Sequence, residues 1–216
     1  MLIKVCGMRN AENVKDVCSL GVNFIGLIFY EKSPRYVEAN GINPTNNESI
    51  KNASAKRVGV FVNADISYIE SRIIQYNLNC VQLHGNESVD FCRQLRQSPE
   101  MDGKMILKAI NISDINDIEK CTDYNNLIDM FVFDTKSKMG GGSGQQFDWN
   151  VLDCYNGNIP YLLSGGISPE DAWRVSAFVN SHNRCAGIDL NSRFEISPAL
   201  KNINTLQQFI KELKNE

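Results

Sequence analysis

The chain has 216 residues, 43% of them hydrophobic and 22% charged, with a formal net charge of −3, which suits a globular protein with one substantial core. It holds no cluster of Lys and Arg to neutralise a nucleic-acid backbone, and no apolar run approaches the length of a membrane span, so neither nucleic acid nor membrane is the expected partner. Seven cysteines, an odd number without a Cys-x-x-Cys pair, speak against a disulfide framework or structural zinc. With an N-terminal apolar stretch too short for a secretory leader, they point to the cytoplasm.

Short β-branched apolar runs alternate with amphipathic segments along the chain. The predicted strands cover residues 2–6, 24–29, 57–62, 80–84, 105–110, 130–134, 161–164 and 186–190. Between them helices are expected to begin near Asn10, Asp65, Glu87, Ser113, Asp148 and Pro169, with a weakly marked one between Asn43 and Ser54. Ser168-Pro169-Glu170-Asp171 offers a capping hydroxyl, a proline at the first helical position and two acids for the positive helix end. A last helix over 202–214 carries Ile203, Leu206, Phe209, Ile210 and Leu213 as one apolar stripe.

Strands alternating with helices predict a parallel sheet, because parallel neighbours need a crossover. Eight such units in 216 residues leave about 27 residues each, the size of a compact barrel unit. The expected fold is therefore α/β, a single-domain (β/α)8 TIM barrel over residues 1–216. An open doubly wound sheet would place a glycine-rich phosphate turn after the first strand, and Gly7-Met8-Arg9 is not that turn. The Asn-rich stretch 40–52 and the glycine run 140–144 read as loops within the one domain, and Trp149 and Trp173 as packing residues.

Barrels of this kind carry their chemistry at the C-terminal strand ends. Here those ends hold Cys6, His84, Asp134 and, in the eighth strand, Asp189 followed by Asn191 and Ser192. A thiol, an imidazole and two carboxylates thus converge on one mouth. Side-chain alternation puts Lys4 on the same face as Cys6, and a cation beneath the thiol is expected to favour the reactive thiolate. Two glycine groups complete the pattern. Gly142 and Gly144 lie in a loop after strand six, and Gly165 and Gly166 in a sharp turn after strand seven. Backbone N–H groups can approach an anion there, and phosphate sites in these barrels gather after strands seven and eight.

These residues resemble a known family. Lys4-Val5-Cys6-Gly7-Met8, Ser33-Pro34-Arg35-Tyr36-Val37, Val81-Gln82-Leu83-His84-Gly85, Phe133-Asp134-Thr135, Gly141-Gly142-Ser143-Gly144 and Leu163-Ser164-Gly165-Gly166 are similar in order and spacing to phosphoribosylanthranilate isomerases. The resemblance implies a (β/α)8 barrel acting in tryptophan biosynthesis on a small phosphorylated sugar–anthranilate, with no metal and no organic cofactor, as a monomer or homodimer. The implied reaction is an Amadori rearrangement with Cys6 as general base and Asp134 as general acid. Arg35 would hold the anthranilate carboxylate, and His84 and Asp189 would line the substrate site. Gly142, Gly144, Gly165, Gly166, Asn191 and Ser192 would bind phosphate.

Some readings stay open at this stage. His84 is either a site group or a core residue bonded to backbone, and Asp189 either touches substrate or orients its neighbours. Where the family has glycine after strand eight this chain has Arg193, and the family's downstream Pro-Gly is Pro198-Ala199. A bicyclic isomerase of histidine biosynthesis performs the same rearrangement but resembles a duplicated half-barrel with a carboxylate ending strand one. A silent phosphate-binding barrel is the remaining rival, and it would be expected to have lost the acid or the base.

Overall fold

Eight parallel strands close on themselves in the order β1-β2-β3-β4-β5-β6-β7-β8, with β1 pairing β8. The structure is a computed structural model and describes residues 1–39, 53–135 and 148–214. The barrel strands are β1 (Leu2–Val5), β2 (Phe24–Ile28), β3 (Lys56–Phe61), β4 (Cys80–Leu83), β5 (Met105–Ile112), β6 (Met130–Thr135), β7 (Tyr161–Leu163) and β8 (Cys185–Leu190). Outside them lie the α-helices α1 (Ala11–Ser19), α2 (Ile66–Tyr76), α3 (Val89–Arg96), α4 (Ile115–Glu119), α5 (Ala172–Ser181) and α6 (Ile203–Leu213). All eight predicted strands are present, each within a residue or two of its expected limits.

The helices start where short polar side chains can take up free N–H groups. Asn10 caps α1 by accepting from Asn13 N at 3.0 Å, and Asn202 caps α6 by accepting from Thr205 N at 3.2 Å. Ser88 and Asp114 cap α3 and α4, one residue beyond the predicted starts. The helix expected near Asp148 is a 3-10 helix, Trp149–Cys154, and α4 runs straight into another, Lys120–Tyr124. Only Pro169–Asp171 is 3-10 at the seventh crossover, before the α-helical backbone begins at Ala172. The helix expected between Asn43 and Ser54, and the loops 40–52 and 140–144, lie outside the described residues apart from Ala53 and Ser54 themselves.

Two apolar layers follow from the two-residue period of the strands. Phe24, Val58, Cys80, Leu107, Ala109, Met130, Val132 and Leu162 point inward and fill the barrel. Their neighbours Ile25, Phe61, Val81, Phe131 and Leu163 point outward into a larger cluster with helix residues such as Ile69, Leu95, Leu206 and Phe209. Each large side chain removed from water there contributes about 1.5–3 kcal/mol, so the outer layer dominates stability and frees the upper inner positions for polar groups. Trp149 is buried as expected, whereas Trp173 is 76% exposed. Trp173 sits in the first turn of α5 beside buried Ala172, and its helical position turns it away from the barrel. Among the described residues, no helix is long and apolar enough to cross a membrane.

Candidate active site

Barrel closure puts the first and last strands in register, with Lys4 opposite Asp189 and Val5 opposite Leu190. Lys4 and Asp189 meet as a buried ion pair, Nζ to Oδ2 at 2.6 Å. Cys6 continues the inward face of β1, and its N–H donates to Leu190 O at 2.8 Å. Burial pulls the Lys4 ammonium down, yet Asp189 and Cys6 prevail and hold it above the ordinary value. Burial likewise pushes the Cys6 thiol up, Lys4 pulls it down, and Asp189 opposes Lys4. The sum leaves the thiol above its usual value. The expectation that Lys4 would favour the thiolate is thus only half met, because burial of the thiol outweighs the pull of Lys4, which Asp189 further offsets.

Space for the thiol comes from β2. A Cβ on Gly26 would stand 2.6 Å from Cys6 Sγ, closer than van der Waals contact allows. Gly7 takes the chain out of β1 with φ +76°, and a Cβ there would come within 2.7 Å of Arg35 Cδ and 2.9 Å of Asn191 Oδ1. Only glycine lets these three segments approach so closely.

Across the mouth, β4 and β6 contribute a second pair. His84 Nε2 stands 3.3 Å from Asp134 Oδ2, and Nδ1 lies 2.8 Å from Gln82 Nε2. The Asp134 carboxylate acts on Asp189 and raises it, so the two pairs are electrostatically coupled. Beneath His84 the turn is braced by a further buried ion pair. Lys108 donates to Gly85 O at 2.7 Å and to Glu87 Oε2 at 3.0 Å, while Glu87 accepts from Asn63 N and Gly85 N.

Arg35 reaches the site because the segment after β2 folds back beside it. Tyr36 bridges Ile28, and Val37 N donates to Ile28 O at 2.9 Å. The Arg35 guanidinium is then gripped by Glu195 from beyond β8. Lys201 pairs with the same carboxylate at 2.7 Å and donates to Asn191 Oδ1 at 2.8 Å. Burial raises the Glu195 carboxyl, but Arg35 and Lys201 together hold it below the ordinary value.

Gly165 and Gly166 form the turn after β7 with φ of 86° and 69°. Ser168 follows, its N–H and hydroxyl both donating to Asp171 Oδ2 at 2.8 Å. After β8, Asn191 leads into a 3-10 helix, Ser192–Phe194, in which Arg193 is exposed. Gly142 and Gly144 lie outside the described residues. The other nine predicted residues all lie at or just beyond the C-terminal strand ends of the barrel.

Four contributors were missed from sequence: Glu195, Lys201, Gln82 and Gly26. Gly26 carried a signal, a glycine inside a predicted strand, which marks close approach. Gln82 carried another, since it shares the inward face with His84. Lys201 carried none.

A closed barrel with a thiol, two carboxylates and an imidazole at its mouth, flanked by an arginine and the turns after β7 and β8, has the layout of a (β/α)8-barrel enzyme of acid–base type. The family model described as N-(5'phosphoribosyl)anthranilate (PRA) isomerase matches residues 3–212. The chain belongs to the N-(5'-phosphoribosyl)anthranilate isomerase family and is an isomerase. It is 46% identical over 215 residues to the N-(5'-phosphoribosyl)anthranilate isomerase of Parabacteroides distasonis, covering 99% of this chain and 93% of that one. The crystal structure of the Thermotoga maritima phosphoribosylanthranilate isomerase superposes with a TM-score of 0.81 at 30% identity, covering 100% of both chains. A phosphoribosylanthranilate isomerase was also solved in complex with reduced 1-(o-carboxyphenylamino)-1-deoxyribulose 5-phosphate. It gives a TM-score of 0.78 at 28% identity, with 100% of both chains covered.

Proposed function

We propose that this chain converts N-(5'-phosphoribosyl)anthranilate to 1-(2-carboxyphenylamino)-1-deoxyribulose 5-phosphate in tryptophan biosynthesis, with Asp134 as general acid and Cys6 as general base. The observation that carries the assignment is that Cys6, bonded to the end of β8 above the Lys4–Asp189 pair, and Asp134, paired with His84, stand at the same end of one closed barrel. Acid and base thereby belong to one site.

Asp134 delivers its proton to the furanose ring oxygen as the C1′–O bond breaks, leaving a carboxylate and an iminium at C1′. The iminium acidifies the C2′ proton, which Cys6 removes as its thiolate. The C–H electrons form the C1′=C2′ bond and the nitrogen regains its lone pair. Loss of the 2′-hydroxyl proton and protonation of C1′ then give the ketone. Atoms and electrons balance within one molecule, so the sequence needs no external oxidant or reductant.

Arg35 suits the anthranilate carboxylate because its planar fork can bind two oxygens at once. Asp189 uses Oδ2 on Lys4, and its buried Oδ1 has no hydrogen bond among the described residues, which leaves an acceptor for a sugar hydroxyl. His84 stands beside the acid and completes the lining. The Gly165–Gly166 and Asn191–Ser192 turns offer N–H groups to the phosphate, and Gly142 and Gly144 are assigned the same role. All seven cysteines are free, in keeping with the cytoplasm. Monomer or homodimer is the proposed assembly, a relative from Thermotoga maritima having been solved as monomers of a dimeric enzyme.

The test is turnover of freshly generated phosphoribosylanthranilate, followed by loss of its fluorescence. Cys6→Ser and Asp134→Asn should each lower kcat by about a hundredfold or more, the usual share of one acid or base. Full turnover in either variant would remove the corresponding assignment.

A further inference from the structure

Gln82 is an amide inside an apolar barrel. It is 1% exposed, and the interior positions around it on β3, β4 and β5 are Val58, Cys80, Leu107 and Ala109. A buried amide in such surroundings is costly unless its hydrogen bonds are made. Among the described residues its one partner is His84, with Nε2 of the amide 2.8 Å from Nδ1 of the ring, while its Oε1 has none. The amide could also lie turned over, with the oxygen on Nδ1 and the NH2 group where Oε1 now stands. A buried N–H without an acceptor is the rarer and costlier arrangement, so the orientation with the donor on His84 is favoured.

We infer that Gln82 is a positioning residue that holds the neutral His84 ring in the tautomer with its proton on Nε2, the nitrogen beside Asp134. The amide N–H donates to the Nδ1 lone pair, so the neutral ring must carry its proton on Nε2. That nitrogen is buried, stands 3.3 Å from Asp134 Oδ2 and makes no hydrogen bond among the described residues. A donor poised at this distance gains most when the carboxyl has released its proton and become a carboxylate. Gln82 thereby readies a partner for the charge that proton delivery leaves on Asp134. This last step rests on Asp134 being the general acid; the tautomer itself does not.

The chain has only two histidines, His84 and His182, which makes the tautomer directly observable. His182 lies at the end of α5, stacked on Phe178 and paired with Asp153, so His182→Gln assigns the spectrum without touching the site. In 15N-histidine-labelled protein at about pH 8, above the ordinary imidazole range, the His84 ring should carry its proton on Nε2. Gln82→Glu supplies an acceptor in place of the donor and should move the proton to Nδ1. Its kcat should fall about tenfold with KM near the wild-type value, a modest part of the acid–base contribution. Gln82→Met keeps the volume without either group and should show a mixture of tautomers, with a smaller loss in kcat. A wild-type ring protonated on Nδ1, or an unchanged ring in Gln82→Glu, overturns the inference. The expected tautomer switch with unchanged kcat upholds the positioning and removes the assistance of the Nε2 proton to Asp134, while Asp134→Asn tests the acid separately.

Discussion

Glu195 grips Arg35 along one edge of its guanidinium: Nε lies 3.0 Å from both carboxylate oxygens and Nη2 lies 2.8 Å from Oε2. With that edge occupied, the outer Nη1–Nη2 edge is the one left for a substrate carboxylate. The pair therefore aims the arginine as well as stabilising it.

Arg35→Lys removes the planar fork, so it should raise KM by about tenfold or more with a smaller effect on kcat, because a point charge cannot serve both carboxylates. Steady-state kinetics read the split. Acid should act on the same pair. Glu195 is held below its ordinary value of 4.5, so its contribution to stability is complete above that value and is lost as pH falls through the lowered one. Thermal unfolding of Glu195→Gln should show a weaker acid dependence than wild type.

Lys4 and Asp189 are a buried pair in which each partner covers the other's charge. Removing one leaves an uncompensated charge, a loss of about 3–5 kcal/mol. Lys4→Met should unfold well below wild type in denaturant, whereas Lys4→Met with Asp189→Leu should recover much of the loss. Because Lys4 also pulls the Cys6 thiol down, any active Lys4→Met protein should need a higher pH to form the thiolate. In wild type, where the thiol lies above its ordinary 9.0, kcat should still be rising with pH through the alkaline range. A plateau already reached at neutral pH would mean that the thiol is not raised once substrate is bound.

Gly26→Ala tests how tightly the thiol is placed. The added methyl carbon would lie 2.6 Å from Sγ and 3.0 Å from Cys6 Cα, so the thiol or its strand must shift. A displacement of about an ångström at a reacting group is worth on the order of a hundredfold in rate. Turnover should fall by that amount while the far-ultraviolet circular dichroism of the barrel persists.

Ala199 occupies the left-handed region with φ 68°, where the family pattern has glycine. The hairpin of β9 (Glu195–Ser197) and β10 (Leu200–Lys201) turns there, and Ala199 N donates to Glu195 Oε1 at 3.1 Å. The left-handed backbone costs alanine about 1 kcal/mol, partly offset by its buried methyl. Ala199→Gly should raise the melting temperature slightly and leave kcat unchanged. A lower melting temperature would mean that the packing of the methyl outweighs the strain.

The barrel was legible because its signals are local. Two-residue alternation in the strands, apolar stripes in the helices and polar caps at Asn10 and Asn202 each lie within a few residues of chain. Cys6, His84, Asp134 and Asp189 were legible for the same reason, since a strand end in such a barrel faces the mouth wherever the strand sits in sequence. Alternation also placed Gln82 inside, although its partner could not be read from spacing alone. What needed the tertiary structure were pairings between distant segments. Lys4 meets Asp189 across 185 residues and Arg35 meets Glu195 across 160, because barrel closure sets the first strand against the last. Whether Lys4 activates Cys6 or neutralises Asp189 is decided by that closure, through distance and burial, and no pattern local to either strand contains it.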